Sequence, residues 1–85
     1  MEFRQLHTFI QAAQLQSFSR AAVQLGYSQS AVTVQIRMLE KELGTRLFDR
    51  MGKQVVLTPQ GQKFLMHANT ILYEVNRTRW EPRKS

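Results

Sequence analysis

The run SQSAVTVQIRMLEKELG, Ser28–Gly44, carries the side chains of this chain best placed to act on a partner. Stepped at about 100° per residue, Val32, Ile36, Leu39 and Leu43 fall on one stripe of a helix. Ser30, Thr33, Val34, Arg37 and Lys41 fall roughly 100–180° from that stripe, on the opposite side. The outward face therefore offers hydroxyls, a small apolar surface and cations. Gln29, in the first turn, adds an amide that both donates and accepts hydrogen bonds. Val34 is the anomaly, because a water-facing side of a helix gives a valine nothing to cover. Single apolar residues are common on protein surfaces. A valine on a face otherwise built for polar contacts also suits an apolar group on the partner.

These residue types bind; they do not catalyse. His7 and His67 stand far apart in sequence, and there is no cysteine, so metal ligation has no set of donors. The four glycines, Gly26, Gly44, Gly52 and Gly61, stand singly at turns or element ends and make no phosphate loop. Serines cluster where helices start, away from any general base. No enzyme activity and no cofactor is expected. Twelve Lys and Arg against six Asp and Glu give a net charge of +6. The isoelectric point is near 10.6. Such a balance favours a polyanionic partner, nucleic acid first and an anionic membrane second.

A membrane is the weaker choice. The last long helical pattern keeps its cations at its C-terminal end, Arg77 and Arg79, not along one face. No stretch of 18 apolar residues exists, and MEFRQLHTF lacks the pattern of a signal peptide. With no disulfide in reach, a cytoplasmic setting is expected.

The elements that position the outward face follow from periodicity. Phe3, Leu6, Phe9, Ile10 and Ala13 predict a first helix over about 2–15. Ser17 caps a short second helix with Phe18, Ala21, Ala22 and Leu25 inward, closed by Gly26. Ser28 caps the third helix, about 29–43, which stops at Gly44. Residues 47–50 and 54–57 read as short strands around a Met51-Gly52-Lys53 turn. Thr58-Pro59 opens a fourth helix running to about Arg79, and 80–85 reads as a disordered tail. The fold class expected is mainly α: a winged helix-turn-helix of three core helices plus a two-stranded wing, then a long linker or dimerisation helix.

In helix-turn-helix DNA readers the second helix of the unit lies in the major groove. Under that reading Gln29 suits an adenine edge, and Val34 suits a thymine methyl group. The helix start favours a phosphate. Arg50 and Lys53 flank the wing turn, where phosphate or minor-groove contact is expected. Arg20, near the start of the second helix, is a candidate for backbone contact, as are Thr33 and Arg37. The competing class is a winged helix used for protein contact, whose docking face would carry larger apolar or aromatic residues at its centre.

On the fourth helix, Gly61, Leu65, Ala68, Leu72 and Val75 alternate steps of four and three, the spacing of a coiled-coil seam. Phe64 and Ile71 broaden the stripe. Leu65, Ala68, Leu72 and Val75 are the candidate dimerisation residues, with packing on the first helix as the alternative use of the same stripe.

The stretch Ser17–Gly61 closely resembles the DNA-binding domain of LysR-type transcriptional regulators, and the opening MEFRQLHTFIQAA looks like that family's first helix. The motifs SFSRAA, SQSAVT-QI, LE-ELG, LF-R and LTPQG stand in order and at family spacing. The resemblance implies a winged helix-turn-helix over 1–58 and a linker helix over 59–79 that pairs two subunits. It also implies an inverted-repeat site on double-stranded DNA, with a tetramer available to a full-length protein. A small-molecule effector is implied only if a missing C-terminal domain exists. Ser28, Gln29, Ser30, Thr33, Val34, Arg37, Arg20, Arg50 and Lys53 are the implied DNA contacts. The chain departs from the family pattern at Ser30, often proline there, and at Val34, often arginine or another polar residue.

Overall fold

A computed structural model describes residues 1–80, with side-chain surroundings through Val75. The order is α1 (Phe3–Leu15), α2 (Phe18–Leu25), α3 (Gln29–Leu43), β1 (Phe48–Met51), β2 (Gln54–Leu57) and α4 (Pro59–Trp80). This is the winged helix-turn-helix expected, with helix starts within one residue of prediction. Strand β1 begins and ends one residue later than its pattern suggested, and α4 reaches one residue further, to Trp80. The expected tail over 81–85 lies outside the described residues.

The short helices are held by their ends. Ser17 Oγ accepts the Arg20 N–H at 3.1 Å, and Ser28 Oγ accepts the Ala31 N–H at 3.1 Å. Each satisfies a donor that the first helical turn leaves free. Gly26 and Gly44 close α2 and α3 with φ of 77° and 72°, a region that costs glycine nothing. Gln16 closes α1 in the same left-handed region, at φ 53°, without being a glycine. Its carbonyl accepts the Val55 N–H at 3.2 Å, so this turn is tied to the wing.

The core joins Leu6, Phe9, Ile10 and Ala12 of α1 to Ala21 and Ala22 of α2 and to Val32, Ile36 and Leu39 of α3. The two alanines let α2 approach its neighbours closely, as their place in the sequence suggested. Leu47, Phe48 and Val55 seal the wing onto this core. Phe3 and Ala13 depart from the expected inward stripe of α1: Phe3 is exposed and Ala13 only half-buried, whereas Ala12 is fully buried. Buried Thr8 donates its hydroxyl hydrogen to Gln35 Oε1 at 2.7 Å, joining α1 to α3 through a polar bond no periodicity signals.

The wing is an antiparallel pair in which Phe48 faces Leu57 and Met51 faces Gln54. Gly52-Lys53 is thus a two-residue loop, with the positive φ at its first position that a type II′ hairpin requires. Thr58 caps α4: its hydroxyl accepts the Gly61 N–H at 2.9 Å and donates to the Arg46 carbonyl at 2.7 Å.

On α4 the stripe divides. Ala68 and Gly61 are buried in their own domain, while Leu65, Leu72 and Val75 stay half-exposed. Ala68 is therefore corrected: it packs in this domain's core and is not available to a second chain. Its place in the seven-residue repeat could not show which neighbour covers it. The helix gives the molecule its length, 50 Å against 26 and 19 Å in the other directions. None of the described helices is long and apolar enough to cross a membrane.

Gly61 seats α4 on the wing. A Cβ there would collide with the Leu47 carbonyl oxygen and press on Leu57 Cδ2 at 3.0 Å. Elsewhere in a helix, alanine outscores glycine by about 1 kcal/mol. Here the overlap with backbone reverses the sign, at a cost of about 1–3 kcal/mol. Gly61→Ala is expected to lower the melting temperature by about 4–8 °C per kcal/mol. A rise in a thermal melt would show that α4 does not rest on Leu47.

Candidate nucleic-acid interface

Helix α3 presents its polar side to solvent because its apolar side is used up. Val32, Ile36 and Leu39 are buried, which turns Ser30, Val34, Arg37 and Lys41 outward. Val34 is 53 % exposed, so the anomaly in the sequence is a surface feature in the fold as well. Thr33 departs from the expectation of a fully outward residue. It is half-buried and lines the cleft between α3 and the wing.

That cleft, about 140 Å³, is walled by Thr33, Arg37 and Glu40 of α3 and by Arg46, Asp49 and Arg50 of the wing side. Phe18, Ile36, Phe48 and Val55 form its apolar lining. A smaller depression of about 60 Å³ adjoins it through the shared residues Phe18, Arg50 and Val55. It brings Gln29, at the start of α3, beside Arg50 and Lys53 of the wing, Ser17, the cap of α2, and Ser19 within α2. The fold thus gathers residues some twenty positions apart into one basic, hydroxyl-rich surface: Gln29, Thr33, Arg37, Arg50 and Lys53.

Ser28 serves this surface as the cap of α3, and its side-chain oxygen is already engaged by the helix. Arg20 stands apart. It lines a separate surface groove with Leu15, Ser19, Val23 and Gln24, which shares only Ser19 with the smaller depression. Ser30 and Lys41 are exposed on α3 but line neither cleft.

Three charged side chains in the cleft, Arg46, Asp49 and Glu40, were not singled out from the sequence. Arg46 donates to the Phe48 carbonyl at 3.1 Å and pairs with Asp49 at 3.4 Å. Glu40 accepts the Leu47 N–H at 2.7 Å and the Phe48 N–H at 3.3 Å. The available signal for Glu40 was its place: a carboxylate roughly 80° from the centre of the buried stripe, at about 100° per residue, on the edge that turns toward the next element. Among the described residues no three His, Cys, Asp or Glu side chains gather as a metal site needs. The groups this surface offers are hydrogen-bond donors and acceptors, charges and an apolar lining.

Comparison with known proteins matches residues 3–62 to the family described as bacterial regulatory helix-turn-helix protein, lysR family. The HTH-type transcriptional regulator YwqM of Bacillus subtilis is 49 % identical over 72 residues, 85 % of this chain and 25 % of that protein. CitR of the same organism is 44 % identical over 72 residues, again 85 % of this chain and 25 % of the relative. The chain thus spans about a quarter of the length of these relatives. Among solved structures, a complex of the CbnR DNA-binding domain with DNA superimposes with a TM-score of 0.88 at 40 % identity, covering 92 % of this chain and 90 % of that one. Full-length BenM superimposes with a TM-score of 0.90 at 34 % identity, covering 99 % of this chain and 28 % of that one.

The cap and the outward serine separate cleanly in a stability measurement. Ser28→Ala removes the acceptor for the Ala31 N–H and is expected to cost about 1 kcal/mol. Ser30→Ala, at an exposed position two residues on, is expected to stay within about 0.5 kcal/mol of the wild type. Urea denaturation of both variants checks this. Equal losses would show that the capping bond does not hold the start of α3.

Proposed function

The chain belongs to the lysR family of bacterial regulatory helix-turn-helix proteins, and from that premise we propose that it is the sequence-specific, double-stranded-DNA-binding part of a transcriptional regulator. One observation carries this reading: Gln29, Thr33 and Arg37 of α3 and the wing cations Arg50 and Lys53 line two adjoining depressions that share Arg50. Helix α3 enters the major groove. The wing, about 47–57, follows the adjacent backbone or minor groove.

The roles divide by chemistry. Gln29, Ser30 and Val34 point to base edges, with Val34 against a thymine methyl group. Thr33, Arg37, Arg50 and Lys53 hold phosphates and set the register. Arg20, on its separate groove, reaches only the flanking backbone. The small residues at the centre of the α3 face favour this reading over protein docking, which uses larger apolar anchors.

Residues 1–58 read DNA, and α4 pairs two copies over 59–79 through Leu65, Leu72 and Val75. The half-exposure of those three side chains supports this. A two-fold pair presents two α3 helices to successive major grooves about 34 Å apart, which calls for an inverted repeat. Such a regulator works beside the chromosome, in the cytoplasm. Tetramer formation and a small-molecule effector belong to the longer protein of which this chain would be the DNA-binding part.

Selection from a random-sequence duplex pool at several salt concentrations tests the proposal. An inverted repeat is expected to emerge, with affinity falling steeply as salt rises. Bound DNA with no enriched sequence at any salt would contradict base readout. Val34→Arg is expected to tighten binding to unrelated duplex and to change the preference at one base position. An unchanged preference at every position would remove Val34 from the reading. Lys53→Ala is expected to weaken all sequences alike and to reduce the salt slope by about one. A loss confined to one sequence would instead make Lys53 a base contact.

A further inference from the structure

Glu40 and Asp49 are the two acids in a cleft lined by Arg37, Arg46 and Arg50; Asp49 pairs with Arg46, whereas Glu40 forms no salt bridge among the described residues. Near a polyanion an extra negative charge weakens attraction, so its place there calls for a task. The hydrogen bonds give one. A single carboxylate oxygen, Oε2, accepts two backbone N–H groups, that of Leu47 at 2.7 Å and that of Phe48 at 3.3 Å. Leu47 is the last residue before β1, and Phe48 is its first. Hydrogen bonds to an ionised acceptor are stronger than neutral ones, and here both cross from α3 to the wing.

The other supports of the wing come from elsewhere in the fold. The Val55 N–H on β2 reaches the Gln16 carbonyl at the end of α1. The Phe48 ring meets Phe9 of α1 at 5.4 Å and Phe18 of α2 at 5.3 Å between centroids. These ring contacts seat the wing against α1 and α2. Glu40 is the side chain whose directed bonds tie the wing to α3 itself. It therefore fixes the distance from the base-facing side of α3 to Arg50 and Lys53.

We propose that Glu40 is a positioning residue: its carboxylate locks the wing to α3, so that the wing cations meet the DNA backbone in register with the bases α3 reads. This rests on the DNA-binding reading above. It assigns the first of the two acids in the LE-ELG motif a role in recognition without any contact to DNA.

A double-mutant cycle separates this role from plain stability. The 85-residue chain, E40A and E40Q are each titrated, with and without R50A, against a duplex carrying the half-site selected by the wild type. R50A is expected to weaken wild-type binding about fivefold to tenfold, as loss of one phosphate contact does. In E40A the wing is already displaced, so R50A is expected to cost less than about twofold. E40Q keeps one side-chain oxygen to accept the same N–H groups and is expected to restore most of the R50A penalty. Base preference along α3 is expected to persist in E40A. An R50A penalty in E40A equal to that in the wild type would overturn the proposal, as would an R50A variant that binds like the wild type. Loss of base preference in E40A would do the same. If E40A melts below the assay temperature, E40D, whose carboxylate is drawn back by one methylene, is judged by the same criteria. Failure of the wild type to select any sequence would instead remove the DNA-binding reading on which this rests.

Discussion

Phe48 stands at the centre of a chain of aromatic contacts on which the positions of the other elements depend. Its ring meets Phe18 of α2 nearly edge-on, at 88°, and Phe9 of α1 at 57°. Phe9 in turn meets Phe64 of α4, with centroids 5.2 Å apart. Each such pair contributes about 0.5–1.5 kcal/mol beyond the area it buries. The contacts run from the second helix through the wing and the first helix to the fourth. The wing is thus part of the core, and its tip is carried by a strand whose first residue is 5 % exposed. A two-stranded hairpin is marginal alone in water; this one is held because one face of it is core.

From that anchoring the site follows. With the wing seated, the buried stripe Val32, Ile36, Leu39 turns the opposite side of α3 outward, and the wing brings Arg50 and Lys53 beside the start of that helix. Capping at Ser28 and Gly44 fixes where α3 begins and ends. Ser28 and Ser30 then stand at the start of the helix, and the longer cations Arg37 and Lys41 stand further along. The arrangement suits a partner with a regular, negatively charged, grooved surface.

Helix positions were legible because period and caps are local. Ser17, Gly26, Ser28, Gly44 and Thr58 mark boundaries in the sequence, and the structure uses each for that purpose. Strand β2 was legible for the same reason, while β1 was displaced by one residue because Leu47 is buried before pairing begins. What could not be read were bonds across distance. Nothing in the chain signals that Thr8 meets Gln35, and the place of Glu40 at the edge of the buried stripe does not say which N–H groups its carboxylate reaches. Nor does a repeat of four and three say which surface covers it. Ala68 looked like a seam residue and is core, whereas Leu65, Leu72 and Val75 keep part of their surface open. Thr33 shows the same limit, since its angle on the helix points outward and the wing then folds over it.

The central claim is that α3 and the wing form one DNA-reading surface. The most direct test is a titration of the isotopically labelled chain with a short duplex carrying its selected half-site, followed by amide chemical shifts. The largest changes are expected over residues 28–37 and 49–53, with little change on the exposed side of α2 around Val23. Changes concentrated around Val23, or confined to α4, would place the DNA elsewhere and contradict it.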